Sequence, residues 1–170
     1  MTLITEDYRE QNRQLHATRP DYGNIGQRFA SLVINLGEKH KTTDILDYGC
    51  GKRSLERALG FTIRNYDPAI NGLDTAPEPA DIVVCTDVLE HIELDCLDSV
   101  LADLARVTKK VCLANIATRP AKKNLPDGRN AHLIVRPARW WMRTVLEFFE
   151  IELWQVNQGE VLCLLTPSRP

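Results

Sequence analysis

The chain has 170 residues, 44% hydrophobic and 26% charged, with a formal net charge of −2, which allows one domain with a sizeable core and points to no partner through bulk charge. No run approaches the roughly eighteen apolar residues of a membrane span, and the opening Met-Thr-Leu-Ile-Thr-Glu-Asp-Tyr lacks the basic and apolar regions of a secretory signal. Cys50, Cys85, Cys96, Cys112 and Cys163 form no C-x-x-C pair and are odd in number, so they read as free thiols of a reducing cytoplasm and not as a disulfide frame or zinc site.

Residues 5–18 are polar and predict a helix that ends at the turn Arg19-Pro20-Asp21-Tyr22-Gly23. Ile25, Phe29, Leu32, Val33 and Leu36 recur at helical spacing, so a second helix is expected over 24–39. A strand at 44–48, a stub of helix at 54–59 closed by Gly60 and a strand at 61–66 follow. Residues 68–80 carry four prolines or glycines and little periodicity, which predicts a loop where a doubly wound fold has its third strand. Asp81–Thr86 is a short apolar run of the kind buried in a parallel sheet. Leu97, Val100, Leu101, Leu104 and Val107 mark a helix at 95–108, ahead of a strand at 110–116. A basic segment, 117–137, leads into a helix at 138–149, and the runs 151–156 and 161–166 flank Asn157-Gln158-Gly159 as an antiparallel hairpin. The expected fold class is α/β: a Rossmann-like, mostly parallel sheet with a reversed C-terminal hairpin strand, reduced around strand three.

Residues 44–54, Asp-Ile-Leu-Asp-Tyr-Gly-Cys-Gly-Lys-Arg-Ser, run from strand through a glycine-bearing turn into helix. Gly49 and Gly51 allow close approach of main chain to a ligand, and the following helix N-terminus is expected to aim unpaired N–H groups at it. Asp67 stands twenty residues after Asp47, at the end of the next strand, where a carboxylate accepts hydrogen bonds from ribose hydroxyls. The combination points to a nucleoside-containing cofactor. A dinucleotide turn, G-x-G-x-x-G, fails here because its third position counted from Gly49 is Ser54.

Leu46–Lys52, Asn65-Tyr66-Asp67-Pro68 and Asp81–Ile92 with its D-V-L-E-H run resemble, in order, the motifs of class I S-adenosylmethionine-dependent methyltransferases, a resemblance that extends from about residue 40 to the end. It implies one methyltransferase-like domain over 1–170, with residues 1–40 as an N-terminal helical lid and 117–137 as a substrate insertion. It also implies that Asp47, Tyr48, Gly49, Cys50, Gly51, Asp67, Pro68, Thr86, Asp87 and Val88 bind the cofactor, S-adenosyl-L-methionine. Arg53 departs from the pattern, since many members have glycine there.

Methyl transfer needs an acceptor held in line and, where required, relieved of a proton. His91 and His132 are the histidines expected near the site and serve as candidate catalytic bases. Asp87, Glu90, His91 and His132 also resemble the divalent-metal set of small-RNA 2′-O-methyltransferases, with i, i+3 and i+4 meeting on one helical face. The same D-V-L-E-H-I run recurs in members that need no metal, and the reading adopted here has none.

Between 117 and 143, Arg119, Lys122, Lys123, Arg129, Arg136, Arg139 and Arg143 face a single acid, Asp127. Such a cluster attracts phosphates, so Arg129, Asn130, His132 and Trp140 are the expected substrate contacts. The N-terminal segment, with Tyr8, Asn12, His16, Arg19 and Tyr22, is expected to fold across the cofactor. The function expected is O- or N-methylation of a small anionic, sugar-like or nucleotide acceptor in the cytoplasm, without membrane contact. Two alternatives stand beside it: a cofactor-binding protein without transfer activity, and a metal-assisted nucleic-acid 2′-O-methyltransferase.

Overall fold

Six strands, β1 (Ile45–Tyr48), β2 (Arg64–Tyr66), β3 (Ala80–Thr86), β4 (Thr108–Ala117), β5 (Phe149–Asn157) and β6 (Glu160–Pro167), form one sheet in the order β2-β1-β3-β4-β6-β5. The computed structural model describes residues 2–19 and 23–168, so Tyr22 lies outside the described residues. β1 pairs in parallel with β2 and β3, and β3 with β4, while β6 runs antiparallel to both β4 and β5. The reversed strand arises because only a two-residue turn separates β5 from β6, too short for a parallel crossover.

Alternation along the strands sends side chains to two cores. Val83 and Cys85 of β3, with Cys112 and Ala114 of β4, meet Leu101, Leu104 and Val107 of α4 (Leu97–Val107) and Trp141 and Val145 of α5 (Ala138–Leu146). Ile82, Val84, Val111 and Leu113 point the other way, onto Val33 and Leu36 of α2 (Ala30–His40) and Leu55 of α3 (Ser54–Leu59). Full burial of a side chain such as Leu101 contributes about 1.5–3 kcal/mol. Of the segment 1–40, α2 is part of the core, while α1 (Glu6–Thr18) lies outside both of these cores. All five cysteines are free and buried.

The loop between β2 and β3 contains no strand, which leaves β2 at the sheet edge. It is fastened instead by Asp67 N–H to the Leu73 carbonyl at 2.9 Å, and by Arg64, whose guanidinium donates to the carbonyls of Glu78 at 2.8 Å and Pro79 at 3.1 Å. Its prolines, Pro68, Pro77 and Pro79, cannot donate to a ladder, which accounts for the loss of the third strand.

Candidate functional site

The C-terminal ends of β1, β2 and β3 converge on the turn that follows β1, the place where open α/β sheets bind ligands. Gly49 and Gly51 hold φ of 78° and 49°. A Cβ on Gly49 would lie 2.4 Å from Val88 Cγ2, and one on Gly51 would lie 2.8 Å from the Gly23 carbonyl oxygen. Both glycines are thus required by neighbouring protein as well as by backbone angle. Arg53, where the family pattern has glycine, is left-handed too, with φ of 54°.

The amides of the turn itself are spent within the protein, and the helix expected to aim its N-terminal N–H groups at a ligand begins after them, at Ser54. Gly49 and Cys50 N–H donate to the Tyr66 carbonyl at 2.8 and 3.0 Å, Lys52 to the Gly23 carbonyl at 3.0 Å and Arg53 to the Cys50 carbonyl at 2.8 Å. Gly51 N–H donates to Asp67 Oδ2 at 3.1 Å. Each amide from Gly49 to Arg53 is occupied, so this bend is not an anion cradle of the kind that holds pyrophosphate.

Carboxylates face the ligand space instead. A small polar recess is lined by Asp47, Gly49, Cys50, Thr86 and Asp87. A larger open cleft adjoins it, lined by Gly51, Asp67, Pro68, Asp87, Val88 and His91 among others. Among the described residues lining these two spaces there is no lysine or arginine. Burial, reinforced by Asp67 and Glu56, pushes the Asp47 carboxyl up to about 7. Asp87 sits with φ of 60° just past β3, its N–H donating to the Asn115 carbonyl at 3.0 Å. Such left-handed strain at a non-glycine residue concentrates at functional positions.

One wall of the cleft comes from α1. Tyr8, Asn12 and His16, four residues apart, fall on a single helical face and line the cleft together with Ile4. Thr5 caps the helix by accepting from Tyr8 N–H, and its own N–H and hydroxyl donate to Glu93 at 2.9 and 2.7 Å. Tyr8 Oη donates to the His91 carbonyl at 2.5 Å, and Tyr8 and Leu15 pack on Leu125 and Ala131 of the insertion. Gly23 stacks against Gly51, and Lys52 Nζ reaches the Arg19 carbonyl at 2.6 Å. The N-terminal segment is built onto the glycine turn and the insertion.

His91 follows β3 in a short 3-10 turn, Leu89–His91. Its Nε2 is 3.9 Å from Asp87 Oδ2, and its ring meets that of His132 edge-on at 4.8 Å. Burial, with a smaller contribution from His132, lowers the His91 imidazole to about 4 against the opposing pull of Asp87. His132 Nδ1 is 2.6 Å from the Arg119 carbonyl, and because a carbonyl only accepts, that nitrogen carries the proton. His132 does not line the cleft; it stands behind His91.

Side-chain atoms of Asp87, His91 and His132 converge to within 4.8 Å of one another. Glu90, the fourth member of the metal set that the sequence resembles, turns away: its Oε1 accepts the Ala117 N–H at 2.5 Å, and its own carbonyl accepts the Ile134 N–H at 3.0 Å. Burial and then Asp87 push its carboxyl up to about 8. Glu90 thus fastens the D-V-L-E-H turn to β4 and the insertion.

The remaining expected residues divide. Asp47, Gly49, Cys50, Gly51, Asp67, Pro68, Thr86, Asp87 and Val88 all line one or other space. Tyr48 does not, because β-strand alternation turns its ring into the α4 core, where Oη donates to Asp103 at 2.9 Å. Asn130 is spent inside the insertion, bonding both backbone groups of Ala121 at 2.9 Å and accepting from His132 N–H at 3.0 Å. Arg129 pairs with Asp127 at 2.7 Å on the surface. Trp140 lies on α5 against Trp141 and beneath Arg136, packed on the core. The expected substrate set Arg129, Asn130, His132 and Trp140 is therefore not assembled at the cleft. Ile4, Gly23 and Ile92 line it without having been anticipated; the glycine at 23 was the one available signal, since its φ of 74° demands that residue.

No family model matches the chain, and no curated protein matches it. Solved structures do. The Burkholderia thailandensis 1,6-didemethyltoxoflavin-N1-methyltransferase, with bound 1,6-didemethyltoxoflavin and S-adenosylhomocysteine, is 12% identical with a TM-score of 0.66, over 99% of this chain and 93% of that one. Magnesium protoporphyrin IX methyltransferase from Synechocystis PCC 6803, with bound S-adenosylmethionine, is 16% identical with a TM-score of 0.59, over 96% and 98%. The DhpI complex with S-adenosylhomocysteine is 18% identical with a TM-score of 0.59, over 96% and 95%. This chain has the fold of the class I S-adenosylmethionine-dependent methyltransferases. Its sheet is a variant of that fold in which the third strand is a loop.

Proposed function

We propose that this chain is an S-adenosylmethionine-dependent methyltransferase acting on a small molecule. The observation that carries the reading is the set Asp47, Asp67 and Asp87 at three adjacent strand ends, around spaces that no lysine or arginine lines among the described residues. A dinucleotide brings two phosphates, and no lysine or arginine lines these spaces among the described residues; S-adenosylmethionine brings a sulfonium and an ammonium, for which carboxylates are the matching partners, against a single carboxylate of its own. Asp67 suits the ribose hydroxyls and Asp47 the ammonium. When bound, the cofactor supplies an electrophilic methyl group.

The chain's own residues then orient the acceptor and receive its proton. His91 lines the cleft, is held neutral by burial and has Asp87 beside it, which suits an imidazole that takes a proton from an acceptor oxygen or nitrogen. His132 backs it as a positioning residue. Ile4, Tyr8 and Ile92 make the acceptor end apolar, which favours a largely neutral small molecule over an anion. The cations of the insertion give little support to a nucleic-acid acceptor, since Arg129 is ion-paired and Arg136 covers Trp140.

Calorimetry with S-adenosylmethionine and S-adenosylhomocysteine tests the core of this reading. Both bind the intact chain, and Asp67→Ala lowers affinity at least tenfold; absence of binding to the intact chain overturns it. A labelled methyl donor offered to neutral, anionic and nucleic-acid acceptors then separates an enzyme from a binder and ranks the acceptor classes.

A further inference from the structure

We infer that His16 of α1 is a cofactor-binding residue that grips a ribose hydroxyl jointly with Asp67, so that the N-terminal helix supplies part of the nucleoside pocket. The inference rests on the reading of S-adenosylmethionine as cofactor.

His16 Nε2 lies 3.9 Å from Asp67 Oδ2, too far for a direct hydrogen bond. A hydroxyl oxygen placed about 2.8 Å from both atoms bridges that gap, donating to the carboxylate and accepting from the imidazole N–H. Asp67 is fixed for this task, with Oδ2 accepting from Gly51 N–H at 3.1 Å and Oδ1 from Ala69 N–H at 3.0 Å. Both of its oxygens retain lone pairs for a ligand.

His16 is fixed as well. Its side chain is 13% exposed, and it lines the cleft with Gly51, Asp67 and Ala69. Gly23 makes room for it, since a Cβ there would lie 2.9 Å from His16 Cε1. Leu15, one residue before it, is buried against the insertion, which sets the rotation of the helix. An imidazole set by the helix register opposite a doubly anchored carboxylate makes a preorganised clamp. The loop that replaces the third strand leaves one side of the nucleoside pocket without its usual strand, and α1 stands on that cleft.

The test is calorimetry on the full chain with S-adenosylhomocysteine and its 2′-deoxy and 3′-deoxy ribose analogues, using the native chain, His16→Ala and His16→Gln. The native chain is expected to lose about tenfold in affinity for one of the two deoxy analogues. His16→Ala is expected to bind S-adenosylhomocysteine about tenfold more weakly and to show a reduced penalty for that analogue; His16→Gln, which keeps an N–H donor, recovers part of both. Thermal unfolding of each variant confirms the native fold, and His16→Gln carries the test should His16→Ala unfold. Unchanged affinity and an unchanged deoxy penalty in both variants overturn the clamp while leaving the methyltransferase reading intact. Failure of the native chain to bind S-adenosylhomocysteine overturns both together.

Discussion

His132 stands edge-on behind His91 at 4.8 Å, with its Nδ1 proton committed to the Arg119 carbonyl. The two imidazoles are therefore unequal, one lining the cleft and one supporting it. His91→Ala is expected to lower the methyl-transfer rate about a hundredfold or more while leaving S-adenosylhomocysteine affinity within a few-fold. His132→Ala acts through His91 and is expected to cost about tenfold. A proton-accepting His91 must have its Nε2 free of metal, so the rate should survive exhaustive chelation. Single-turnover assays of both variants and of chelated enzyme check this, and a rate abolished by chelation and restored by a divalent ion would reassign Asp87, His91 and His132.

Cofactor binding is expected to release a proton from Asp47. Burial holds that carboxyl at about 7 in the free protein, and an ammonium placed beside it favours the ionised form. Affinity for S-adenosylhomocysteine should then rise by about tenfold per pH unit up to pH 7 and level off above it. Calorimetry in buffers of different ionisation enthalpy reads the proton directly. Affinity that is flat from pH 5.5 to 8 would remove Asp47 from the ammonium site.

Stability should fall as pH rises from about 6.5 to 8. Glu90 keeps its proton in the folded chain up to about 8, whereas the unfolded chain gives it up near the ordinary 4.5; the folded state thus binds more protons and is disfavoured as pH climbs. Asp47 acts in the same direction up to its own value of about 7. His91, lowered from 6.5 to about 4, works oppositely, but only below 6.5. Glu90→Gln keeps an acceptor for the Ala117 N–H and cannot ionise, so it should recover up to about 2 kcal/mol across that window. Urea unfolding at pH 6.5 and 8 measures the difference.

Arg53→Gly should stabilise the fold. Arg53 is exposed and left-handed at φ of 54°, a conformation that disfavours side chains by about 1–2 kcal/mol, partly offset by the greater freedom of glycine in the unfolded chain. A net gain approaching 1 kcal/mol raises the unfolding midpoint by about 2–4 °C. A lowered midpoint would show that the Arg53 side chain holds the turn through its own contacts.

Most of the fold was legible because its strands and helices obey simple periods. The apolar run of β3, the amphipathic α4 and the Asn-Gln-Gly turn before β6 each state their structure locally, and the prolines of 68–80 announce the missing strand. The carboxylates of the site were legible for a related reason, since each lies at a strand end. The surroundings of the residues expected to meet substrate were not legible in the same way. Arg129, Asn130 and Trp140 suggest recognition by type alone, yet Asn130 had a turn to close, Arg129 an aspartate two residues away and Trp140 a core to cover. The helix register that brings Tyr8, Asn12 and His16 to the cleft depends on Leu15 meeting Leu125 across the insertion, a long-range contact that no local pattern encodes.

The bend after β1 has every amide from Gly49 to Arg53 satisfied by protein, so its shape is settled before any ligand arrives. On the proposed reading, recognition falls to three acidic side chains standing on a finished mould. Changing the preferred guest, in evolution or in the laboratory, then becomes a matter of exchanging those side chains and the helix facing them, with the bend itself left untouched.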